Sequence, residues 1–171
     1  METSSIHCPC GKPTSYLQCC YPLHSGQAFA SSAEQLMRSR FSAFYLAAKG
    51  ELDLCQYLVD TWHSSQYQNP SAALADLKQN MDQQQYYSLR LLDSKSKDDK
   101  AEVEFVAFFS AKNSQDKALG KVQQLHERSN FIKEQGRWFY VDGKFCADIK
   151  LQRNDNCWCG SAKKFKKCHA E

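Results

Sequence analysis

The sequence predicts an α+β protein that carries a small metal-binding module at each end. Apolar residues recur at helical spacing up to about residue 81 and alternate at strand spacing from residue 86 onward. Most of the nine cysteines lie in two groups close to the ends of the chain. This order of elements predicts helices that cover one face of an antiparallel sheet. We therefore divide the chain into residues 1–24, 25–152 and 153–171.

The first predicted helix begins shortly after the N-terminal module. Ser31-x-x-Glu34 is a capping box that marks its start, and Gly50 favours an end near Ala48. Its apolar face consists of Leu36, Met37, Phe41, Phe44, Tyr45 and Ala48. The spacing of these residues predicts a helix packed against the rest of the core.

Two further helices are predicted between this helix and the strands. One spans about residues 51–59. Asn69 and Pro70 are typical of the N-cap and the first turn of the other. The apolar stripe of that last helix consists of Ala73, Leu74, Leu77 and Met81.

Apolar residues at every second position predict two adjacent strands. They are Tyr87, Leu89 and Leu91 in the first strand, and Val103, Phe105, Ala107 and Phe109 in the second. The charged residues 94–100 predict a turn between the two strands. Residues 123–141 predict a second hairpin around Gly136, and Asp142-Gly143 predicts a further turn.

Four metal ligands near the C-terminus have the spacing C-x-C-x8-C-H, and the N-terminus repeats it as C-x-C-x8-C-C. The ligands are Cys157, Cys159, Cys168 and His169 in one group, and Cys8, Cys10, Cys19 and Cys20 in the other. Four thiolate and imidazole ligands are typical of structural zinc, which is tetrahedral and leaves no position for water. The sequence therefore predicts two Zn²⁺ sites. His7 or His24 is an alternative to Cys20 as a ligand.

The turn that each Cys-x-Cys pair needs is supplied by Gly11 and Gly160, which directly follow the second cysteine. An aromatic residue, Tyr16 or Phe165, lies at the matching place in each copy and is expected to cover the metal. Lysines surround the C-terminal copy. They are Lys163, Lys164, Lys166 and Lys167, and we expect them to form a basic exposed face.

The charge of the whole chain argues against extended contact with nucleic acid. Seven thiolates and two Zn²⁺ together carry a charge of −3, which cancels the formal charge of +3. Stacking on Trp158 and Phe165 next to the lysines leaves ribosomal RNA as the one nucleic-acid contact that stays open. No apolar run approaches the roughly 18 residues of a membrane span, and residues 1–15 lack a leader pattern. We therefore expect a cytoplasmic protein, and in that reducing compartment clustered cysteines favour metal binding over disulfides.

Residues 153–169, RNDNCWCGSAKKFKKCH, closely resemble the SEC-C motif, the zinc-binding tail of the preprotein translocase ATPase SecA. CPCGKPTSYLQCC near the N-terminus is a variant of it. Together with the segments MRSRFSAF, TWH and WFYVDG, these motifs resemble the bacterial YchJ family over essentially the whole chain. That resemblance implies a middle domain like nuclear transport factor 2 (NTF2), with a cone-shaped α+β fold and a curved antiparallel sheet around a cavity.

The resemblance also implies a partner, since the SecA tail binds the chaperone SecB and is associated with ribosomes and phospholipid. We therefore expect a zinc-binding adaptor whose C-terminal module docks a SecB-like chaperone or the ribosome through Lys163, Lys164, Lys166 and Lys167. The alternative is a small-molecule-binding protein or an enzyme that uses the cavity of the middle domain, with zinc purely structural.

Candidate residues for the cavity are Arg38, His63 and Asp142. One of Arg38 and Arg40 is expected to point inward to a carboxylate such as Asp142 or Glu127. A pair of Cys55 and His63 is conceivable around a helix end, although a buried inert cysteine is the more common situation. No phosphate-binding loop, nucleophile elbow or H-E-x-x-H pattern occurs, so the sequence favours a role without catalysis.

Overall fold

The computed structural model describes residues 7–112 and 121–169, so the first six residues of the predicted N-terminal module lie outside it. Four α-helices precede a four-stranded sheet within this part of the chain. The helices are α1 (Tyr21–His24), α2 (Ala33–Ala47), α3 (Leu54–Asp60) and α4 (Pro70–Asn80). The strands are β1 (Gln84–Lys97), β2 (Lys100–Ala111), β3 (Gln123–Glu134) and β4 (Arg137–Phe145). None of the described helices is long and apolar enough to cross a membrane.

The helix starts follow local capping chemistry. Ser32, one residue after the predicted Ser31, caps α2 and accepts a hydrogen bond from the Gln35 backbone N–H at 3.1 Å. Glu34 instead pairs with Arg38 one turn along the helix, at 2.7 Å. The predicted start of α4 is confirmed, because the Asn69 side chain accepts hydrogen bonds from the first-turn amides and Pro70 is the first helical residue.

The sheet is antiparallel throughout, with the strand order β1-β2-β3-β4. Lys97 pairs with Lys100, so the turn between β1 and β2 is much shorter than the predicted residues 94–100. The predicted turn at Asp142-Gly143 is instead part of β4, where Gly143 pairs with Ser129. A Cβ atom at position 143 would overlap the Glu127 side chain, so glycine is the residue that fits this close approach.

The main core lies between α2 and the inner face of the sheet. Its buried side chains come from α2, β2, β3 and β4, and include Leu36, Met37, Phe41, Val103, Phe105, Phe131 and Trp138. A second cluster joins the end of α2 to α3 and contains the fully buried Cys55. Between helices and sheet the core leaves a cavity of about 290 Å³.

The N-terminal module packs against α2. Arg38 donates a hydrogen bond to the Cys10 carbonyl at 3.0 Å, and the Cys8 thiol lies 3.9 Å from the Ser42 hydroxyl. At the other end, the chain leaves β4 and returns across β3, where Gln124 bonds both the N–H and the carbonyl of Ile149.

The C-terminal module packs against β1. Trp158 packs edge-on against Tyr87 with ring centres 5.2 Å apart, and its carbonyl accepts a hydrogen bond from Ser88 at 2.6 Å. Arg90 pairs with Asp155 at 3.3 Å. Both modules therefore lie against the body of the protein, one on a helix and the other on the sheet.

Candidate metal centres

The four cysteines of the N-terminal module converge on one point. Their sulfur atoms all lie within 4.8 Å of one another, and those of Cys10 and Cys19 are 3.5 Å apart. Tetrahedral zinc with Zn–S bonds of about 2.3 Å separates its sulfur ligands by roughly 3.8 Å, so the spacing fits a metal ion. The cluster is also enclosed, since Cys8, Cys10 and Cys20 are each at most 3% exposed.

Local backbone geometry brings the ligands together. The Gly11 amide donates to the Cys8 carbonyl at 3.1 Å, and its φ of +84° closes a turn that places two thiols on the same side. A 3₁₀ turn over Tyr16–Gln18 then returns the chain to the metal position. The Cys19 amide donates to the Tyr16 carbonyl at 3.1 Å, which fixes the third ligand.

His24, the predicted alternative to Cys20, is engaged elsewhere through both ring nitrogens. Its Nε2 lies 2.9 Å from the Ser39 carbonyl oxygen and its Nδ1 lies 2.8 Å from the Tyr16 hydroxyl. The other alternative, His7, is exposed and forms an isolated bridge with Ser15. The structure thus groups Cys20, rather than either histidine, with the other three cysteines.

The C-terminal module repeats this backbone. The Cys157 amide donates to the Lys163 carbonyl at 2.8 Å, as the Cys8 amide does to Thr14 at 2.9 Å. Gly160 has a φ of +78°, and a 3₁₀ turn at Phe165–Lys167 matches the one in the first copy. The repeated spacing in the sequence therefore reflects one structural unit that is used twice.

The ligand atoms of this second cluster also lie within 4.8 Å of one another. Cys159 and Cys168 have their sulfurs 3.6 Å apart, and His169 directs Nδ1 to the Cys157 sulfur at 3.1 Å. Trp158 covers His169, with ring centres 4.3 Å apart. Three thiolates and one imidazole form a complete tetrahedral set for a metal ion.

Without a metal, each cluster contains a thiol whose pKa is raised above its ordinary value. Hydrogen bonds from Cys20 and Cys8 lower the pKa of Cys10 to about 2, whereas burial first and the contact with Cys10 next raise the pKa of Cys19 to about 12. In the second cluster burial raises the pKa of Cys157 to about 11. Metal binding must therefore release protons from several thiols, which makes it dependent on pH.

The two clusters differ in exposure. The N-terminal one is enclosed by α2 and α1, while Cys159 and Cys168 are half-buried and His169 is exposed. The four lysines of the C-terminal module are also exposed, and none takes part in an ion pair among residues 7–112 and 121–169. The C-terminal cluster is thus a solvent-facing unit with unpaired positive charge beside it.

The three residues predicted for the cavity lie elsewhere in the structure. Arg38 faces the N-terminal module, His63 pairs with Glu134 at 3.3 Å, and Asp142 accepts a hydrogen bond from the exposed Asn130. Cys55 and His63 do not pair, because Cys55 is buried within the second core cluster. Helix geometry explains why Arg40 lines the cavity and Arg38 does not, since residues two apart on α2 point in nearly opposite directions.

Arg40 and Glu127 are the charged residues that line the cavity. Arg40 donates to the Leu58 carbonyl and the Thr61 hydroxyl, both at 2.7 Å, and burial lowers its pKa to about 10. Glu127 accepts hydrogen bonds from Ser129 and, at 3.0 Å, from the Tyr140 hydroxyl. No ion pair joins Arg40 to Glu127 in the described part of the chain; the Tyr140 ring lies 5.0 Å from the guanidinium instead.

The family is decided by the middle of the chain. A family model described as the YchJ middle NTF2-like domain matches residues 32–143, which is more than half of the chain. The protein belongs to the YchJ family. A model of the SEC-C motif matches residues 153–171, over the C-terminal cluster. The resemblance noted in the sequence and the predicted NTF2-like α+β fold are both confirmed.

Relatives match over nearly the full length. UPF0225 proteins from Vibrio cholerae serotype O1 are 38% identical over 166 residues, which cover 95% of this chain and 99% of the relative. Two solved structures of SEC-C motif containing proteins also match. The solution structure from Rhodopseudomonas palustris has a TM-score of 0.66 at 31% identity and covers 83% of this chain and 100% of that one. The crystal structure from Psychrobacter arcticus has a TM-score of 0.62 at 28% identity, covering 98% and 97%.

The residues of the two candidate metal clusters in this YchJ-family protein were predictable from the sequence, but the contacts that hold each module in place were not. Ser39 and Ser42 on α2 contact the N-terminal module, while Ser88 and Arg90 on β1 hold the C-terminal one. The serines in the apolar α2 are the signal that the sequence offers for the first pair of contacts, and they do not identify their partners.

Proposed function

We propose that the protein is a zinc-binding adaptor in which the C-terminal module docks an acidic surface of a partner protein. The difference between the two modules carries this proposal. One module is enclosed against α2 and serves the fold, while the other presents its metal cluster and four unpaired lysines to solvent. Four exposed lysines without carboxylate partners among the described residues form a surface that attracts acidic groups.

Zinc is the metal we assign to both clusters. Each offers four protein ligands of the thiolate and imidazole type, which match closed structural zinc sites and leave no open position for catalysis. Iron also binds thiolate-rich sites, so metal analysis of protein purified without added metal distinguishes the two. All nine cysteines are unpaired, which agrees with a protein that works in the reducing cytoplasm.

The net positive charge of the C-terminal module supports an acidic partner. Three thiolates and one Zn²⁺ leave the C-terminal cluster with a single negative charge, whereas residues 153–169 carry Arg153 and four lysines. The one carboxylate of this stretch, Asp155, pairs with Arg90. The exposed face therefore stays positive when the metal is bound. By likeness to the SEC-C motif of SecA, we expect the partner to be a SecB-like chaperone or the ribosome.

Charge reversal tests the docking surface. A variant with Lys163, Lys164, Lys166 and Lys167 all changed to Glu should lose binding to purified SecB and to purified ribosomes, with at least a tenfold rise in Kd. The matched control changes four exposed lysines elsewhere to Glu, namely Lys97, Lys100, Lys144 and Lys150. Binding should weaken as salt rises, because exposed charges are screened.

Two outcomes would reject the adaptor. One is the absence of measurable binding to either partner by the wild-type protein with both metals in place. The other is an equal loss of binding in both lysine variants, which would indicate attraction by net charge rather than by the C-terminal module. Metal content must be equal in all three proteins for the comparison to hold.

A second candidate function is ligand binding in the cavity. Its volume of about 290 Å³ is at the lower end of the roughly 300–1,000 Å³ typical of ligand pockets. Most of the lining is apolar, and although Glu127 also lines the cavity, no carboxylate of the described residues forms an ion pair with Arg40. This combination favours a small, mainly apolar ligand that carries one anionic group.

A small aromatic anion is a suitable probe of the cavity. Naphthalene-1-sulfonate should raise the melting temperature of the wild-type protein, and Arg40→Met should abolish that rise. Arg38→Met is the matched control, because Arg38 belongs to the same helix but faces the N-terminal module. An equal thermal shift in the Arg40 variant, or none in the wild type, would argue against an anion site.

A further inference from the structure

A third group of metal-ligating side chains lies on the outer face of the sheet and shares no residue with the two terminal clusters. It consists of Glu104 on β2, His126 on β3 and Cys146 just after β4, and we call it the outer-face cluster. The ligand atoms of these three residues lie within 4.8 Å of one another, the same limit that the two terminal clusters meet. Neither the docking surface nor the cavity uses them.

The ring of His126 is held in an orientation that suits a metal ligand. Its Nδ1 lies against the Ala147 carbonyl oxygen, and its Nε2 lies 2.9 Å from a Glu104 carboxylate oxygen. Both neighbours are acceptors, but a neutral imidazole has only one N–H to donate. A cation beside Nε2 satisfies both contacts, because Nδ1–H donates to the carbonyl while Nε2 and the carboxylate share the ion.

The other two side chains are also positioned for such an ion. The second oxygen of Glu104 accepts hydrogen bonds from Arg128 at 2.6 and 3.1 Å, which leaves the first oxygen directed at His126. The Cys146 thiol has one weak contact, 3.7 Å from the Lys144 carbonyl oxygen. The Cys146 backbone is fixed by a 2.8 Å hydrogen bond from its N–H to the His126 carbonyl.

His63 shows what a simple histidine–carboxylate pair looks like in this protein. Its Nε2 lies 3.3 Å from Glu134, but its Nδ1 meets the Ser65 hydroxyl, which can donate as well as accept. His63 also belongs to none of the metal-ligating groups found among the described residues. The outer-face cluster differs from it in having a fixed carbonyl at Nδ1 and a thiol within 4.8 Å of a ring nitrogen.

We propose that Glu104, His126 and Cys146 form a third Zn²⁺ site, with a carboxylate oxygen, an imidazole nitrogen and a thiolate as its ligands. Binding replaces the proton of the Cys146 thiol with a Zn–S bond, and the proton passes to solvent. Three protein ligands leave one coordination position for water or an exchangeable ligand. This site therefore exchanges its metal more readily than the two closed terminal sites.

Metal titration of the intact protein tests the proposal. Protein that already holds its two terminal metals should bind a third equivalent of Zn²⁺, measured by native mass spectrometry and by competition with a chromophoric chelator. Cys146→Ser should weaken the third equivalent by about tenfold or more while the first two remain bound. Cobalt in the third site should give a sulfur-to-metal charge-transfer band that this variant lacks.

Matched controls separate a metal site from an ion pair. Glu102→Gln alters a neighbouring carboxylate of β2 that also contacts Arg128, and His63→Gln removes a histidine from a pair without a thiol. Both should bind the third equivalent as the wild type does, whereas His126→Gln should lose it. A wild type that binds only two equivalents would overturn the proposal and leave the contact between His126 and Glu104 as a hydrogen bond within the sheet. Unchanged affinity in Cys146→Ser would also overturn it.

Discussion

At the scale of single residues, burial on two sides of a helix explains which predictions differed from the structure. Buried residues surround most of α2, because the sheet covers one side and the N-terminal module covers another. The periodicity of apolar residues therefore does not identify a single inner face of α2. For this reason the sequence could not show which of Arg38 and Arg40 points into the cavity. The ligands Cys157 and Cys159 were predictable because their spacing is local, whereas the Arg40–Tyr140 contact depends on the fold.

Tyr86 provides a prediction about alkaline pH. Burial raises its pKa to about 12, and its hydroxyl donates to Gln84 at 3.1 Å. Below pH 10 it is neutral in both states, whereas between pH 10 and 12 only the unfolded chain ionises, so stability is lost as pH rises. The raised pKa of Tyr86 therefore lowers the free energy of unfolding by about 1 kcal/mol at pH 11. Tyr86→Phe should reduce the fall in urea midpoint between pH 9 and 11, and an unchanged fall would contradict this.

At the scale of elements, local signals predicted where helices begin but not how far strands extend. Asn69-Pro70 predicts the start of α4 because capping is a contact between near neighbours. The hairpin of β1 and β2 continues through Lys95 and Lys97, where both faces meet solvent and alternation of apolar residues gives no information. Likewise, β4 passes through Asp142-Gly143 because Asn130 and Ser129 pair with it across the sheet.

Gly143 on β4 lies against Glu127, one of the residues that line the cavity. An added Cβ would overlap the Glu127 side chain, and Glu127 is buried with two hydroxyl donors. Gly143→Ala should therefore lower the free energy of unfolding by about 1–3 kcal/mol, the usual cost of overpacking. In the double variant with Glu127→Ala the overlap disappears, so the two losses should not add. Urea denaturation of the four proteins measures the coupling, and strict additivity would show that the strand accommodates the methyl group elsewhere.

At the scale of the whole molecule, the two modules are expected to contribute unequally to stability. The N-terminal cluster is packed against α2, the helix that forms the main core, while the C-terminal cluster lies on the outside of the sheet. Metal loss at the first site should therefore loosen the core, and loss at the second should leave it intact. The fold class was predictable from sequence, whereas the placement of each module depended on long-range contacts such as Arg90–Asp155.

Single ligand substitutions test this inequality. Cys20→Ser should lower the free energy of unfolding by at least about 2 kcal/mol, roughly 4–8 °C in Tm for a chain of this length. It should also speed hydrogen exchange along α2. Cys168→Ser should release the C-terminal metal with less than half that change in Tm and no effect on exchange in α2. Equal losses in the two variants would mean that both modules are integral to the core.

The position of the Gly11 and Gly160 turns beside β1 has a consequence for aggregation. Gly160 lies close to the Tyr87 carbonyl oxygen, which would be 3.3 Å from an added Cβ atom. Gly11 lies close to the Leu89 carbonyl oxygen, which would be 3.6 Å from an added Cβ atom. β1 is a terminal strand of the open sheet, and such a strand can pair with another chain unless something blocks it. Both turns therefore cover the same stretch of this strand, and each belongs to a module whose cysteines are grouped for metal binding. Chelation should convert this edge into a site for intermolecular β-pairing, so metal supply would determine whether the protein stays dispersed.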